Sequence, residues 1–398
     1  MPTNLPAEAK VKWAKYLEAR TPEEKLRALQ EFLSAVPKHK GTENLRAWVR
    51  RKISELREEI EERRVRRTGK GVSFFIEKEG AAQIIMLGFP NSGKSSLLRI
   101  LTNAKPEVSD LPFTTKYPVP GMMPYEDIQF QVIEAPALIK GASKGAIGWG
   151  SRVLGLARNA DMIMLVIDLS NNPIYQIDTL VSELEYGGIL IRRPKGHVII
   201  EKSKAIKGIK VFIYGKLVNS TINDVVKLLN GYRIYNAIVK IFGEASIDDV
   251  EKAIFENVVF KPSVIVLNKY DLVNEEVVKN VISYVKKFIG VDQEVVVVSA
   301  KDGYGVRKLP EVIFKTSNII RVYTKEPNSP KPSPKPLILP KGSRVEDAVV
   351  KIREEFLKYF KYARIWGPSA KYPGERVGLE HELRDGDIIE IRTKIRGI

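Results

Sequence analysis

Short apolar runs alternate with longer amphipathic segments through the middle of the chain. Five runs of strand length are apolar at most positions, and a glycine or a polar residue follows each of them. Strands that are apolar on both faces are typical of a parallel sheet with helices on both sides. The pattern therefore predicts an α/β domain with a mainly parallel sheet, whose strands cover 83–87, 130–133, 162–167, 263–267 and 294–298.

The first part of the chain has the periodicity of helices. Thr21 followed by Pro22 and two glutamates is a helix start, and residues 5 to about 67 are predicted to be helical throughout. A long apolar stripe lies at Leu45, Trp48, Ile53, Leu56 and Ile60. The stretch ends in a basic run, which is either a solvated helix end or an arm that contacts phosphates: Arg63, Arg64, Arg66, Arg67 and Lys70.

Two other regions depart from the α/β pattern. Residues 175–260 mix short β-like runs with two helical runs, which predicts an inserted α+β subdomain. The proline-rich segment 327–336 predicts a long loop between two strands of a small C-terminal domain, which would also hold a helix at 345–362 and a strand at 387–391. We therefore predict a helical N-terminal region at 1–79, an α/β domain at 80–174 and 261–318, an insert at 175–260, and a C-terminal domain at 319–398.

The 398-residue chain is strongly basic, with 65 Lys and Arg against 48 Asp and Glu and a formal net charge of +17. This charge predicts a polyanionic partner: RNA, DNA or an anionic membrane surface. The absence of cysteine excludes disulfides and cysteine-based zinc sites, and no catalytic role is assigned to the three histidines. The sequence contains neither a signal-peptide apolar region nor an apolar run approaching the roughly eighteen residues of a membrane span. We expect a soluble, cytoplasmic protein.

The strongest chemical signal directly follows the first apolar run. It matches the phosphate-binding loop G-x-x-x-x-G-K-S/T, between a predicted strand and a predicted helix. Gly88 and Gly93 allow the backbone N–H groups to point at phosphate oxygens, Lys94 reaches the β- and γ-phosphates, and the Ser95 hydroxyl binds Mg²⁺. The predicted nucleotide contacts here are Gly88, Phe89, Pro90, Asn91, Ser92, Gly93, Lys94, Ser95 and Ser96.

A second motif selects the base. Asn268-Lys269-Tyr270-Asp271 follows another apolar run, and the Asp271 carboxylate can accept hydrogen bonds from guanine N1–H and N2–H₂, which adenine does not offer as a pair. The stem of Lys269 can cover the base, while Asn268 more often braces neighbouring loops. Backbone N–H groups of Ser299, Ala300 and Lys301 can reach guanine O6. The ligand is therefore predicted to be GTP or GDP with Mg²⁺.

These motifs resemble the developmentally regulated GTP-binding (Drg) family of the Obg-type GTPases. The resemblance spans nearly the whole chain and also rests on Leu111-Pro112-Phe113-Thr114-Thr115 and on segments similar to that family's TGS domain at 338–343, 361–367 and 376–379. It implies a P-loop GTPase domain with an inserted subdomain, a helical N-terminal region and a β-grasp-like TGS domain. It also implies association with ribosomes or RNA.

The third motif departs from the family pattern D-x-P-G. Here it is Glu134-Ala135-Pro136-Ala137, so the carboxylate has an extra methylene and the backbone at Ala137 is more restricted. Leu138 is apolar where many GTPases have a water-orienting glutamine. The family resembled also has an apolar residue at this position. Catalysis must then come from elsewhere.

Asn91 and Thr115 are the candidates for that role beside Lys94. GTPases with Asn at the Asn91 position commonly use it to hold K⁺ against the phosphates, and the alternative is an Asn that only braces the loop. By resemblance to related potassium-dependent GTPases, Thr115 rather than Thr114 is favoured as the Mg²⁺ ligand. The predicted catalytic set is Lys94, Asn91 and Thr115, and the predicted metal ligands are Ser95, Thr115 and Glu134.

Two further regions are predicted to move or to bind RNA. Gly141, Gly145, Gly148 and Gly150 suggest a mobile second switch, with an ordinary surface loop as the alternative. In the TGS region, an RNA-facing surface is predicted from Tyr362, Arg364, Trp366, Lys371 and Tyr372, although Trp366 alternatively belongs to the core.

The sequence thus predicts a slow, potassium-stimulated GTPase that acts as a ribosome- or RNA-associated switch in translation. The main alternative is a GTP-dependent binding module with little or no hydrolysis, motivated by Glu134, Ala137 and Leu138. Asp271 argues against an ATP-using enzyme, and only the net charge favours a membrane-surface GTPase. No DNA specificity is evident, and an activating protein is left open.

Overall fold

The computed structural model describes residues 5–19, 21–38, 42, 45–46, 48–50, 52–54, 56–57, 60, 74, 76–104, 117–144, 149–192, 196–202, 208–255, 258–327, 329 and 331–393. The helices are α1 (Ala7–Glu18), α2 (Pro22–Ala35), α3 (Lys94–Leu101), α4 (Gly150–Asn159), α5 (Pro173–Tyr186), α6 (Ile222–Gly231), α7 (Ile247–Phe255), α8 (Glu275–Phe288), α9 (Leu309–Thr316), α10 (Val345–Ile352) and α11 (Phe356–Tyr359). The strands are β1 (Gln83–Gly88), β2 (Val119–Tyr125), β3 (Ile128–Glu134), β4 (Met162–Asp168), β5 (Ile189–Leu190), β6 (Gly196–Lys202), β7 (Ile209–Val218), β8 (Ala237–Ser246), β9 (Val259–Phe260), β10 (Ser263–Asn268), β11 (Glu294–Val297), β12 (Ile319–Thr324), β13 (Leu337–Pro340), β14 (Phe360–Trp366), β15 (Glu375–Val377) and β16 (Asp387–Thr393).

A six-stranded sheet with the order β11-β10-β4-β1-β3-β2 forms the centre of the molecule. All neighbours pair in parallel except β2 and β3, which form an antiparallel hairpin. This confirms the mainly parallel sheet and its five predicted strands. Strand β2 was not predicted from the sequence; it contains Pro120 and Pro124 and lies at the edge of the sheet, where proline is tolerated.

Helices cover both faces of this sheet, which explains why its strands are apolar on both sides. One apolar core joins β1, β4 and β10 to α4, α5 and α8. The other core joins the opposite side chains of the same strands to α3 and α9. Because parallel strands end at the same edge, the polar residues that follow each strand converge there.

The insert has its own sheet, in the order β6-β8-β7, with α6 and α7 on one face. The short parallel pair β5–β9 lies where the chain leaves the central domain and returns to it. The N-terminal helices pack into the same core as the insert, through residues such as Trp13, Phe32 and Trp48. The capping box at Thr21 confirms the predicted start of α2. Strand β8 was not predicted from the sequence, although its buried Ala237, Val239 and Ile241 alternate with more exposed residues.

The C-terminal sheet has the order β13-β12-β16-β14-β15. The proline-rich segment joins the antiparallel strands β12 and β13, as predicted. The predicted helix at 345–362 is wrong: α10 ends at Ile352, α11 is a single turn, and 360–366 forms β14. The physical reason is a change of period, because burial of Ala363 and Ile365 alternates with the more exposed Tyr362, Arg364 and Trp366.

Helices able to cross a bilayer were sought among the described residues. None of the helices there combines the length and the apolar character that a membrane span requires.

Candidate nucleotide site

The predicted site residues converge at the carboxyl edge of the central sheet. Gly88 ends β1, Glu134 ends β3 and Asn268 ends β10. Asp168 ends β4 between them, although the sequence analysis assigned it no role. The edge of an open α/β sheet beyond the strand carboxyl ends is where such folds bind ligands.

The loop from Gly88 to Lys94 has the conformation of a phosphate cradle. Gly93 has a φ of +89°, and a Cβ there would lie 2.2 Å from Asn268 Nδ2, so only glycine fits. Asn91 is also left-handed, with a φ of 59°. The helix α3 begins at Lys94, so its free N–H groups point toward the loop.

Asn268 links the phosphate loop to the base loop. Its amide Nδ2 donates to the Ser92 carbonyl at 2.9 Å, and its Oδ1 accepts from the Ala300 N–H at 3.0 Å. The side chain is buried. This geometry matches the bracing role predicted for Asn268.

Lys94 is buried beneath the loop. Its ammonium donates to the Phe89 carbonyl at 2.8 Å and to the Gly88 carbonyl at 3.2 Å. Burial lowers the pKa of Lys94 to about 8, and the Glu134 carboxylate opposes part of that shift. Phosphate oxygens at this ammonium would favour its charged form, because they replace lost hydration with opposite charge.

We therefore expect GDP binding to be coupled to proton uptake. Near pH 8 part of the free protein has an unprotonated Lys94, so binding should take up a fraction of a proton there and less as the pH falls toward 7. Calorimetric titrations in two buffers of different ionisation enthalpy measure this number. Lys94→Arg is the control, since its guanidinium does not titrate in this range. Equal proton uptake by both proteins at pH 8 would contradict the assignment.

Ser95 and Glu134 converge on one point beside the phosphate loop. The Ser95 hydroxyl donates to Glu134 Oε1 at 2.5 Å, and Glu134 is buried. A hydroxyl and a carboxylate oxygen are suitable partners for Mg²⁺, so these two residues fit the ion that phosphates would help to hold. The third predicted ligand, Thr115, lies outside the described residues, as does Thr114. Among the residues described, no cluster of three or more acidic or histidine side chains could hold a metal without such help.

The base side of the site is held by hydrogen bonds between loops. Asp271 accepts from the Ser299 hydroxyl at 2.8 Å, which orients its carboxylate. Lys269 is left-handed, with a φ of 63°, and its ammonium lies 2.6 Å from Asp168 Oδ2. The Gln176 side-chain amide in turn bonds the N–H and the carbonyl of Asp168. Asp168 and Gln176 are both buried and together position Lys269, a role that was not predicted from the sequence.

The structure also places the residues after the third motif. Ala137 and Leu138 are buried, and Leu138 belongs to the apolar core against α4 and α5. The Leu138 N–H donates to the Gly88 carbonyl at 3.2 Å. Leu138 is therefore part of the scaffold, and its side chain cannot orient a water.

Glu183 of α5 holds the start of the predicted second switch. Its two buried carboxylate oxygens accept from the Gly141 N–H and the Ser143 N–H, each at 2.7 Å. Gly150 packs so closely on Ala142 that a Cβ would lie 2.3 Å from the Ala142 carbonyl oxygen. This part of the segment is folded onto α5, whereas Gly145 and Gly148 lie outside the described residues.

Glu183→Ala should loosen this segment locally. Two main-chain donors lose their acceptors, which should cost about 2–4 kcal/mol of local stability. Hydrogen exchange of peptides covering 139–144 should speed up accordingly. Glu185→Ala on the same helix is the control, since its exposed ion pair with Arg192 at 3.5 Å contributes little. Equal exchange in both variants would rule out the role given to Glu183.

Family models match three consecutive parts of the chain. Residues 83–200 match the family model of a 50S ribosome-binding GTPase, residues 206–319 match the C-terminal region of that domain, and residues 320–393 match the TGS domain. GTP hydrolysis is the activity general to P-loop GTPases of this kind.

Curated relatives align with nearly the whole chain and with nearly the whole of their own length. An uncharacterised GTP-binding protein of Methanocaldococcus jannaschii is 37% identical over 94% of this chain and 93% of its own length. Developmentally-regulated GTP-binding protein 2 of Mus musculus is 29% identical over 93% of this chain and 99% of its own length. The crystal structure of a GTP-binding protein from Sulfolobus solfataricus in complex with GDP aligns with a TM-score of 0.36 and 15% identity, covering 79% of this chain and 68% of that one. The chain therefore belongs to the ribosome-binding GTPases with a C-terminal TGS domain, the family of the developmentally regulated GTP-binding proteins.

Proposed function

We propose that this protein is a slow, potassium-stimulated GTPase that acts as a GTP-controlled switch on ribosomes or structured RNA. In this proposal the phosphate loop, Asn268 and Asp271 bind the nucleotide, while Ser95, Glu134 and Thr115 hold Mg²⁺. The ion would offset phosphate charge. The chain's own residues orient the nucleotide and exclude water around Lys94. The domain division at 1–79, 80–174 with 261–318, 175–260 and 319–398 belongs to the same proposal.

The proposal that RNA is the partner rests on the exposed face of the C-terminal sheet. We call Lys325, Tyr362, Arg364, Trp366 and Arg376 the TGS face. Arg376 lies 4.8 Å above the Tyr362 ring, and Lys325 lies 4.4 Å above the Trp366 ring. Rings paired with cations can stack on bases while the cations contact phosphates. Trp366 is half-buried on the side opposite the apolar core of this domain, which supports an RNA-facing role rather than a core role.

A charged junction connects the TGS domain to the central sheet. The Tyr323 hydroxyl lies 2.6 Å from Asp127 Oδ2, and Arg321 contacts Asp127 Oδ1 at 3.0 Å as well as Glu126. The guanidinium also binds Asp385 of its own domain through two hydrogen bonds of 2.9 and 3.1 Å. The β2–β3 turn that carries Asp127 belongs to the hairpin whose second strand ends at Glu134. This continuity supports coupling between the nucleotide and the TGS domain.

The burial of Leu138 supports slow hydrolysis, because no side chain at that position can orient the attacking water. Asn91 is exposed on the phosphate loop, where it could hold a monovalent cation that offsets phosphate charge. The same burial favours the second candidate, a GTP-dependent binding module with little or no hydrolysis. Single-turnover measurements distinguish the two.

We expect GTP hydrolysis to be at least about tenfold faster in K⁺ than in Na⁺ at equal ionic strength, because a fitting cation offsets charge between the β- and γ-phosphates. Asn91→Ala should remove the difference and retain GDP binding. Asn274→Ala, at the exposed N-cap of α8, is the control and should retain the rate difference between K⁺ and Na⁺. Equal rates in both salts would reject the potassium role, and no hydrolysis in either would favour the binding module.

A further inference from the structure

The insert exposes one face of its sheet. The register places Val198, Val211 and Val239 on the face covered by α6, α7 and the N-terminal helices. The alternate residues of β7 and β8 therefore lie on the other face, where Phe212, Tyr214 and Phe242 are exposed.

These three aromatic side chains form one surface. Tyr214 is directly opposite Phe242, and their rings stack with centroids 5.0 Å apart and planes inclined by 12°. Phe212 lies two residues before Tyr214, about 7 Å along the same strand. Exposed rings at this spacing lie outside the core of the insert, and an exposed apolar patch of this kind marks an interaction site.

Lysines alternate with the rings on this face. Lys210 and Lys216 flank the β7 aromatics and are exposed. Lys240 lies beside Phe212, and its ammonium is 2.8 Å from Glu201 Oε1. The segment 192–216, which contains β6 and most of β7, has eight basic residues and one acidic residue, Glu201. The basic residues are Arg192, Arg193, Lys195, Lys202, Lys204, Lys207, Lys210 and Lys216. We call Phe212, Tyr214, Phe242, Lys210, Lys216 and Lys240 the insert face.

We propose that the insert face binds unpaired RNA nucleotides, an inference that rests on the proposed association with RNA. Bases stack on the rings, and phosphates contact the exposed lysines Lys210 and Lys216. Sheet surfaces that present aromatic rings are a recurrent platform for single-stranded RNA. The lysines among the rings favour a polyanion over a protein partner, because the centre of a protein interface is depleted of charged residues.

Binding of a fluorescent, unstructured RNA of about ten nucleotides tests this assignment by anisotropy. Tyr214→Ala and Phe242→Ala should each weaken binding about tenfold, since each removes a stacking platform. Lys210→Glu with Lys216→Glu should weaken binding and flatten its salt dependence. A base-paired RNA of equal length should be much less sensitive to loss of the rings, because its bases are hidden.

Tyr235→Ala is the matched control. Tyr235 has the same 59% exposure as Tyr214 but lies in the loop before β8 rather than on the insert face. The control should bind RNA within about twofold of the unchanged protein, a difference well below that of losing a stacked base. Unaltered GDP affinity in every variant verifies the fold. The inference is overturned if the unchanged protein does not bind the RNA, or if Tyr214→Ala and Phe242→Ala bind it as the control does.

Ribosome co-sedimentation with the same proteins separates this inference from the proposed function. If the unchanged protein sediments with ribosomes while RNA binding is insensitive to the rings, the insert-face assignment fails and the switch proposal stands. If it does not sediment in any nucleotide state, the switch proposal fails, and the oligonucleotide result still decides the insert face. A third outcome is that the unchanged protein does not bind the RNA oligonucleotide, yet Tyr214→Ala and Phe242→Ala no longer sediment with ribosomes. This outcome would indicate that the insert face contacts a protein, and it would overturn the inference.

Discussion

Asp271→Asn should weaken GDP and GTP binding by about 10- to 100-fold and turn the preference toward xanthosine nucleotides. The carboxylate accepts two guanine hydrogen bonds, and hydrogen bonds to charged groups contribute about 1.5–3 kcal/mol. An amide at this position retains an oxygen that can accept from the Ser299 hydroxyl, so the side chain should stay in place. Its NH₂ can donate to the C2 oxygen that xanthine has and guanine lacks. Competition among the diphosphates of guanosine, xanthosine and adenosine measures the shift.

Asp302→Asn is the control for this prediction. Asp302 also contacts the Ser299 hydroxyl, at 3.3 Å, but it lies in the turn after the base loop. We expect guanine preference to survive in the control. Unchanged GTP affinity in Asp271→Asn would show that the base binds elsewhere.

Arg364→Glu combined with Arg376→Glu should reduce ribosome binding by about 100-fold or more. These residues are directly paired on β14 and β15, and reversing them replaces two phosphate contacts with repulsion. The loss should be greatest at low salt, because the unchanged protein gains most from counterion release there. GDP affinity should not change, since the nucleotide residues are on the central sheet.

Lys341→Glu combined with Lys358→Glu makes the same change in net charge on other exposed positions of the TGS domain. This control should sediment with ribosomes nearly as the unchanged protein does. Equal losses in the two double variants would mean that net charge, rather than the TGS face, determines binding.

The central domain could be predicted from sequence because its signals are local. Strands apolar on both sides require a covered parallel sheet, and the phosphate and base motifs directly follow strands β1 and β10. The proline-rich loop between β12 and β13 was predictable for the same reason, since a proline-rich segment does not form a helix or a central strand.

Other features depend on contacts that composition does not encode. The pairs Lys269–Asp168 and Arg321–Asp127 join residues that are far apart in sequence. Glu183 resembles any glutamate of an amphipathic helix until the fold brings Gly141 and Ser143 to it. The helix predicted at 345–362 failed because apolar residues on β14 extended a helical pattern that ends at Ile352. The basic run from Arg63 to Lys70 and the Mg²⁺ assignment of Thr115 lie outside the described residues and stay predictions.

We propose that GTP controls the association of this protein with the ribosome. Co-sedimentation of the full chain with ribosomes, in GDP, in a non-hydrolysable GTP analogue and without nucleotide, tests it most directly. We expect the tightest binding with the GTP analogue, a steep decrease with salt, and weak binding with GDP. Equal binding in all three states at physiological salt would contradict it.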